Sequence, residues 1–230
     1  MKRTLKMTAI AVAIAGATLG MAGPAQAAVC TTLGTVAAWA TAGTCTDVDN
    51  DMQFTFTGYS GNFGANALTT GLDISEALFG GIQIYNIGFD WNAANYPSGY
   101  AGGGGILYSA TSLDPILQAI NSSSLDTVVY GGTTGAGTSA TKALFDVGAD
   151  NTAFLTMTST NGSHDPVSGG EYLFDGRTSI NVVDTIDVAT SGAYQHMNNT
   201  FNVTHVPEPA SIALLGLGLA GLGLMRRRKV

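Results

Sequence analysis

Short alternations of apolar and polar side chains, separated by turns that contain glycine, are the feature that most restricts the fold of this chain. Residues 52–57, Met-Gln-Phe-Thr-Phe-Thr, follow the two-residue period of a half-buried strand. Eight later segments are similar and are rich in the Thr, Val, Ile, Phe and Tyr that strands favour. With turn signals between them, they predict an all-β domain over residues 28–205, an antiparallel and jelly-roll-like β-sandwich. The eight segments are residues 82–89, 106–109, 125–130, 142–147, 152–158, 171–174, 180–188 and 201–205.

One internal segment has the pattern of a short helix. Ser112 or Asp114 is suited to cap its first turn, and Pro115 fits the first helical position. Residues 116–120, Ile-Leu-Gln-Ala-Ile, continue the pattern. We therefore expect one or two helical turns here, too few to change the fold class.

A tight hairpin is predicted at Asp175 and Gly176. These residues stand between the strand-like segments 171–174 and 178–183. The Asp-Gly pair tolerates the positive φ angles that a two-residue hairpin turn requires. The two flanking segments are therefore expected to pair with each other.

Positive charge is almost absent from the middle of the chain. Of the nine Lys and Arg residues, only Lys142 and Arg177 lie between positions 28 and 206, together with 15 of the 16 acidic residues. The formal charge of that stretch is therefore −13. Proteins that bind nucleic acid neutralise phosphates with clustered Lys and Arg. The composition excludes nucleic acid as a partner.

The N-terminus has the three parts of a secretory signal peptide. Lys2, Arg3 and Lys6 precede an apolar run over residues 7–21, and a small-residue Ala-Gln-Ala triplet ends at Ala27. The alternative is a membrane-spanning helix, but about 15 apolar residues fall short of the roughly 20 that a bilayer requires. We expect residues 1–27 to be removed by signal peptidase. The recognition positions before the cut are Ala25 and Ala27.

The C-terminus carries a second apolar segment with a positive end. Residues 210–225 have no charge, and as a helix they extend roughly 24 Å, a short but usable membrane span. The positive-inside rule places the basic end in the cytoplasm and residues 28–205 outside the inner membrane. A permanent C-terminal anchor is the alternative interpretation. The segment before the span is Val206, Pro207, Glu208 and Pro209, and the basic cluster after it is Arg226, Arg227, Arg228 and Lys229.

These three parts, in this order, resemble the PEP-CTERM sorting signal of surface proteins from Gram-negative bacteria that make extracellular polysaccharide. The resemblance covers residues 206–230 only. It implies recognition by an exosortase, a membrane enzyme similar to a cysteine transpeptidase, with cleavage near residues 207–209. The C-terminal helix would then reside in the inner membrane only transiently, and the exported domain would be attached at the cell surface or released.

Cys30 and Cys45 are the only two cysteines of the chain. Outside the cytoplasm an even pair favours a disulfide. The alternative is a redox or metal-binding pair, but the two residues lack the spacing of metal ligands and have no nearby histidine.

An acidic stretch is the best candidate for a metal site. Asp47, Asp49 and Asp51 alternate like the opening of an EF-hand calcium loop. Met52 and Gly58, however, occupy the positions where that loop needs Gly and Glu. A looser calcium site completed by backbone carbonyls is one hypothesis, and a solvated acidic turn is the other.

The most aromatic loop contains Trp91, Tyr96 and Tyr100 beside Asn and Asp side chains. Aromatic faces stack on sugar rings while neighbouring amides bind the hydroxyls. These residues are candidate sugar contacts. The alternative is that Trp91 packs into the core and the tyrosines cover a loop.

No constellation of catalytic residues is evident. Ser163, His164 and Asp165 are consecutive, so their side chains point to different sides of an extended chain, and no Gly-x-Ser-x-Gly motif occurs. We expect a non-enzymatic secreted surface or matrix protein with a structural or adhesive role linked to exopolysaccharide or biofilm. The alternatives are a lectin-like carbohydrate-binding module and a polysaccharide-degrading enzyme that uses paired carboxylates.

Overall fold

The protein is described by a computed structural model over residues 27–91, 95–96, 99–114, 118–130, 137–148, 152–166, 170–188 and 192–205. The predicted signal peptide up to residue 26 and the sorting segment 206–230 lie outside these ranges. Strands dominate the described residues, which confirms the prediction of a mostly β fold. In chain order the strands are β1 Ala28–Val29, β2 Thr44–Thr46, β3 Met52–Gly61, β4 Gly71–Phe79, β5 Ile82–Asp90, β6 Gly104–Ser112, β7 Gln118–Val129, β8 Thr138–Asp146, β9 Leu155–Thr160, β10 His164–Asp165, β11 Tyr172–Arg177, β12 Ser179–Val188 and β13 Tyr194–His205. The helical segments are a 3-10 turn at Cys30–Thr32, α1 Val36–Ala42 and α2 Asn62–Ala65.

The strands form two sheets. The first has the order β1-β2-β3-β6-β12-β8-β9, and the second has the order β10-β7-β13-β5-β4, with β11 also paired to β7. The β1–β2 pair is parallel, whereas the other pairs are antiparallel. Each of the nine predicted strand segments overlaps one of these strands, whereas the sequence did not predict β1, β2, β4 or β10.

Both sheets bury one face in a shared hydrophobic core. In β12, Ile180, Val182 and Ile186 are buried at alternate positions, because successive side chains of a strand point to opposite faces. Phe201 of β13 and Ile87 of β5 contribute to the same core from the second sheet. Burial of such side chains removes apolar surface from water, at roughly 25 cal/mol per Å², and holds the two sheets together.

Helix α1 covers one end of this core and was not predicted. The Thr35 side chain caps its start by accepting a hydrogen bond from the Ala38 amide at 3.1 Å. Gly43 ends it with a φ of 72°, a conformation that glycine adopts without strain. Trp39 is completely buried, and its ring lies 5.4 Å from that of Tyr108. A single large side chain thus attaches the helix to β6.

The short helix predicted over residues 116–120 is wrong. Gln118 and Ile120 belong to β7, where they pair with His205 and Val203 of β13. Both side chains are buried. One or two helical turns are only marginally stable by themselves, so the pairing with β13 and the burial of Ile120 outweigh the local helical pattern. Pro115 lies outside the described residues.

The predicted hairpin at Asp175 and Gly176 is also wrong. Both residues lie inside β11, which pairs with β7 in the second sheet, whereas β12 pairs with β6 and β8 in the first. The register shifts between Leu173 and Arg177, so the two residues occupy a bulge and not a turn. A Cβ at Gly176 would lie 2.9 Å from Ala119 Cβ, so a larger residue would push β11 away from β7.

The predicted disulfide is confirmed. Cys30 and Cys45 are bonded, and both are buried. The bond joins the 3-10 turn after β1 to strand β2, and thereby fixes the N-terminal end of the domain to the first sheet. Within the described part of the chain, no helix is both long and apolar enough for a membrane span, and the span predicted at residues 210–225 lies outside that part.

Replacing both cysteines should destabilise the domain. The bond closes a loop of 15 residues, for which the chain-entropy estimate is about 3 kcal/mol. We expect the Cys30→Ser, Cys45→Ser double variant to lose a free energy of unfolding of that order in chemical denaturation of the exported protein. Reduced wild-type protein is the control and should unfold at the same denaturant concentration as the variant. A double variant as stable as oxidised wild type would contradict the expectation.

Candidate functional site

The chain leaves the described domain from the middle of the second sheet. β13 lies between β7 and β5 and ends at His205, which pairs with Gln118. Thr204, one residue earlier, pairs with Ile82 at the start of β5. The sorting segment therefore follows a central strand directly, next to the turn that joins β4 and β5. At that turn the side chains of Leu78 and Phe79 are exposed by 69% and 76%.

The predicted calcium ligand Asp47 has a structural role in the loop between β2 and β3. Its side chain is buried, and Oδ1 accepts hydrogen bonds from the backbone amides of Asp51 at 2.8 Å and Met52 at 3.1 Å. The Tyr85 hydroxyl donates to Oδ2 at 2.8 Å. Within the described ranges, no three His, Cys, Asp or Glu side chains are grouped to hold a metal ion. The geometry therefore gives no support to a calcium site at Asp47, Asp49 and Asp51.

Glu76 of β4 faces the same acidic loop. Burial raises the pKa of the Glu76 carboxyl, and the negative charges of Asp47, Asp49 and Asp51 raise it further. Burial also raises the pKa of the Tyr85 hydroxyl, together with its hydrogen bond to Asp47. The loop thus concentrates negative charge beside a partly buried carboxyl, and this favours protonation of Glu76.

The predicted sugar contacts lie largely in the core. Trp91 and Tyr100 are exposed by only 1% and 2%, and their rings stack on each other at 4.9 Å with an angle of 8°. Tyr96 is half-buried, with its ring 5.5 Å from that of Tyr100 and its hydroxyl 2.6 Å from that of Thr69. The alternative interpretation is therefore correct for Trp91: its ring packs into the core and presents no face to a sugar.

The consecutive Ser163, His164 and Asp165 do not form a catalytic unit. His164 Nδ1 lies 3.9 Å from Asp126 Oδ1, and Asp165 accepts a hydrogen bond from the Tyr172 hydroxyl at 2.9 Å. Each side chain is engaged with a different neighbour, as expected for consecutive residues in an extended segment.

A buried polar cluster that sequence reasoning missed lies between the two sheets. It consists of Lys142 of β8, Asp184 of β12 and Asn199 of β13, all with 0% exposure. Asp184 is directly opposite Lys142 in the β12–β8 pair. Asn199 comes from the other sheet and donates a hydrogen bond from Nδ2 to Asp184 Oδ2 at 2.8 Å. We call these three residues the core triad.

The Lys142 amine crosses the core to the second sheet. Its Nζ donates to Ser123 Oγ at 2.6 Å and lies 3.3 Å from the carbonyl oxygens of both Ser124 and Thr200. It also lies 3.6 Å from the centre of the Phe201 ring, within range of a cation–π contact. A charged group at the centre of a β domain is rare unless its interactions compensate for the loss of water.

Burial shifts the pKa values of Lys142 and Asp184 toward neutrality. Desolvation lowers the pKa of Lys142 to about 7, although the charges of Asp184 and Glu171 oppose the shift. Desolvation raises the pKa of Asp184 to about 7, opposed by the charge of Lys142, by the nearby Tyr108 hydroxyl and by the hydrogen bond from Asn199. Both shifts favour the neutral forms of the amine and of the carboxyl.

One sequence signal pointed to Lys142. Lys142 is one of only two Lys and Arg residues in the middle of the chain. It alternates with Ala140 and Leu144 at the two-residue spacing of side chains on one face of a strand, and all three side chains are buried. The pattern could place Lys142 inside, but it could not indicate that Asp184 and Asn199 lie beside it.

Comparison with known proteins identifies the C-terminal segment. Residues 205–229 match the family model of the PEP-CTERM protein-sorting motif, which confirms the resemblance drawn from the sequence. The motif marks the chain as a secreted protein that an exosortase sorts to the cell surface. The match covers the sorting segment and not the β domain. No curated protein and no solved structure matches the chain significantly.

Replacing Glu76 by Gln should stabilise the protein at neutral pH. The pKa of Glu76 is higher in the folded protein than in the unfolded chain, so the folded protein binds this proton more tightly. The free energy of unfolding therefore falls as the pH rises above the pKa that Glu76 has in the unfolded chain. Glu76→Gln should therefore unfold at higher denaturant concentration than wild type at pH 7. The gain should be below about 1 kcal/mol, since solvent screens a partly exposed group.

The gain should vanish below about pH 4, where Glu76 is protonated in both states. Asp73→Asn is the matched control, because it removes an exposed carboxylate from the same strand. A Glu76→Gln gain that is independent of pH, or one equalled by Asp73→Asn, would contradict this account.

Proposed function

We propose that the mature protein is a non-enzymatic structural or adhesive component of the bacterial envelope or extracellular matrix, associated with exopolysaccharide. The observation that carries this proposal is the sorting motif at residues 205–229, which continues directly from the last strand of the domain. An exosortase cut near residues 207–209 would leave β13 whole, because the strand ends at His205. The proposal includes a Gram-negative host and an inner-membrane helix that holds the precursor until it is cut.

Removal of a signal peptide after Ala27 is consistent with the start of the domain. β1 begins at Ala28 and pairs with β2, and the disulfide at Cys30 follows within two residues. Cleavage at the predicted position would thus remove the leader without disturbing a described strand. A disulfide so close to the start also suits an oxidising location.

The two sheets with their common core support a β-sandwich as the exported domain, and its jelly-roll-like form stays a prediction. The formal charge of −13 between residues 28 and 206 keeps such a domain soluble and repels copies of it in dilute salt. A carbohydrate-binding alternative loses its main support, because Trp91 and Tyr100 stack on each other in the core.

The sorting part of the proposal predicts the mature ends of the protein. In a host with the matching exosortase, mass spectrometry of wild-type protein should find an N-terminus at Ala28 and no residue of the 210–225 segment. Glu208→Gln should instead retain its tail through Val230 and remain in the membrane fraction, because the enzyme reads the motif that contains Glu208.

Glu76→Gln is the control, because it makes the same chemical change outside the motif. It should be processed like wild type. Wild-type protein found intact through Val230, or Glu208→Gln sorted normally, would contradict exosortase processing and leave a permanently anchored protein.

The structural role is tested with the processed protein. We expect it in extracellular-matrix fractions, without glycan-array binding and without release of reducing sugar from polysaccharides. Reducing-sugar release would indicate an enzyme, and selective binding on the array would indicate a lectin-like module. Either result would overturn the structural assignment while leaving the sorting route intact.

A further inference from the structure

The core triad has no part in sorting, and its chemistry is unusual for a purely structural cluster. Lys142, Asp184 and Asn199 lie on three strands in two sheets and are completely buried. Water is therefore excluded from a lysine amine, a carboxyl and a carboxamide that lie within one small region of the core.

Lys142 lacks the counter-ion that usually accompanies a buried cation. The ion pairs among the described residues involve His164, Arg177 and His196 and not Lys142. The amine has neutral oxygen acceptors and the Phe201 ring around it, but no carboxylate of the described residues within ion-pair distance, so desolvation drives it toward its neutral form. The lowered pKa of Lys142 agrees with this. A neutral lysine amine is a nucleophile toward carbonyl carbon.

The contacts of Asn199 suit attack by an amine at its carboxamide carbon, Cγ. Its Nδ2 donates to Asp184 Oδ2 at 2.8 Å, so the nitrogen that would leave already contacts a carboxyl that can protonate it. Asn199 Oδ1 and Asp184 Oδ1 are both buried without a hydrogen-bond partner. Unsatisfied buried oxygens of this kind are rare and call for an explanation. The Asp184 oxygen without a partner is available to carry the proton in the reaction described below.

The strand registers make Lys142 and Asn199 neighbours of the same groups in the core. Asn199 and Phe201 are two residues apart on the buried face of β13, and the Lys142 amine lies over the Phe201 ring. Asp184, which contacts Asn199, is the residue directly opposite Lys142. The flexible Lys142 side chain needs only to turn from Phe201 to the neighbouring Asn199 on the same face.

We propose that Lys142 and Asn199 become joined by an isopeptide bond inside the folded protein, with Asp184 as the group that transfers the proton. The neutral Lys142 amine attacks Asn199 Cγ, and an Nζ–Cγ bond forms. A proton passes from Nζ through the Asp184 carboxyl to Nδ2, the Cγ–Nδ2 bond breaks, and ammonia leaves. No oxidant, reductant or cofactor is required, and the carboxyl is regenerated.

The bond would connect the first sheet to the strand that precedes the sorting motif. Lys142 lies on β8 and Asn199 on β13, so the link spans the core between the two sheets. This inference does not depend on the proposed role in the matrix, and its test uses no sorting enzyme.

Intact mass is the primary test and requires no variant. The protein is purified from cells, denatured and reduced, and its N- and C-terminal residues are determined. Its measured mass should be about 17 Da below the mass calculated for the sequence between those residues, because one ammonia is lost in the attack. A mass equal to that of the sequence would overturn the proposal. A loss of about 18 Da would also overturn it, since it would indicate a bond from Lys142 to Asp184 with loss of water.

Trypsin locates the bond. Between residues 7 and 225 the only Lys and Arg residues are Lys142 and Arg177. With Lys142 acylated, trypsin should cut this region only after Arg177, and the two products should stay joined through Lys142 and Asn199 under reducing conditions. Three separate peptides would contradict the bond, whereas fragmentation of the branched product should assign its two attachment points.

Variants assign the roles. Lys142→Arg keeps a positive charge but cannot form the amide, and Asn199→Ala removes the acceptor, so both should show the full sequence mass. Asp184→Asn should also remain unlinked or react far more slowly, because the proton-transfer group is absent. Asn198→Ala is the control at the adjacent, part-buried position of β13 and should lose ammonia like wild type.

Circular dichroism separates a failure to react from a failure to fold. A folded Asp184→Asn variant that loses ammonia at the wild-type rate would refute the role of Asp184. Loss of ammonia by Lys142→Arg or Asn199→Ala would refute the assignment of the two ends.

Discussion

The pairing of β13 with both of its neighbours is the interaction on which the rest of the structure depends. This strand bonds to β5 from His196 to Thr204 and to β7 along almost its whole length, and so it occupies the centre of the second sheet. Its inward side chains, among them Met197 and Phe201, enter the common core. The same strand supplies Asn199 to the core triad and leads into the sorting motif. Assembly of the domain and presentation of its tail are therefore properties of one strand.

Local sequence patterns predicted the strands well where the alternation of apolar and polar residues agrees with the strand pairing of the fold. The period of two over residues 52–57 marks β3, and similar signals mark eight others. Predictions failed where distant contacts decide the structure. The segment from Gln118 has a local helical pattern, but β13 recruits it into a sheet. The Asp-Gly pair at 175–176 fits a hairpin, but it lies within β11, and the β12 strand that follows belongs to the other sheet. Helix α1 was missed because a buried tryptophan and a threonine cap, not a strong periodicity, hold it.

The sorting signal and the core triad differ in how far a sequence can disclose them. A sorting signal is recognised as a linear segment, so residues 206–209 and the apolar run after them were identifiable without a fold, and the family match confirms the motif. The core triad is assembled by topology. Lys142, Asp184 and Asn199 are far apart in sequence and meet only because β8 and β12 are neighbours and β13 faces them. The sugar-contact hypothesis failed for a similar reason, since stacking on Tyr100 buries Trp91.

The central position of β13 also bears on how the domain would respond to mechanical tension. A pull on the tail acts along the strand axis, whereas the hydrogen bonds to β5 and β7 are perpendicular to it. Such a force shears many bonds at once and cannot open them one at a time, as it would at the edge of a sheet. A copy attached to the cell surface through its C-terminal end would resist extraction of that end under flow because of the strand order.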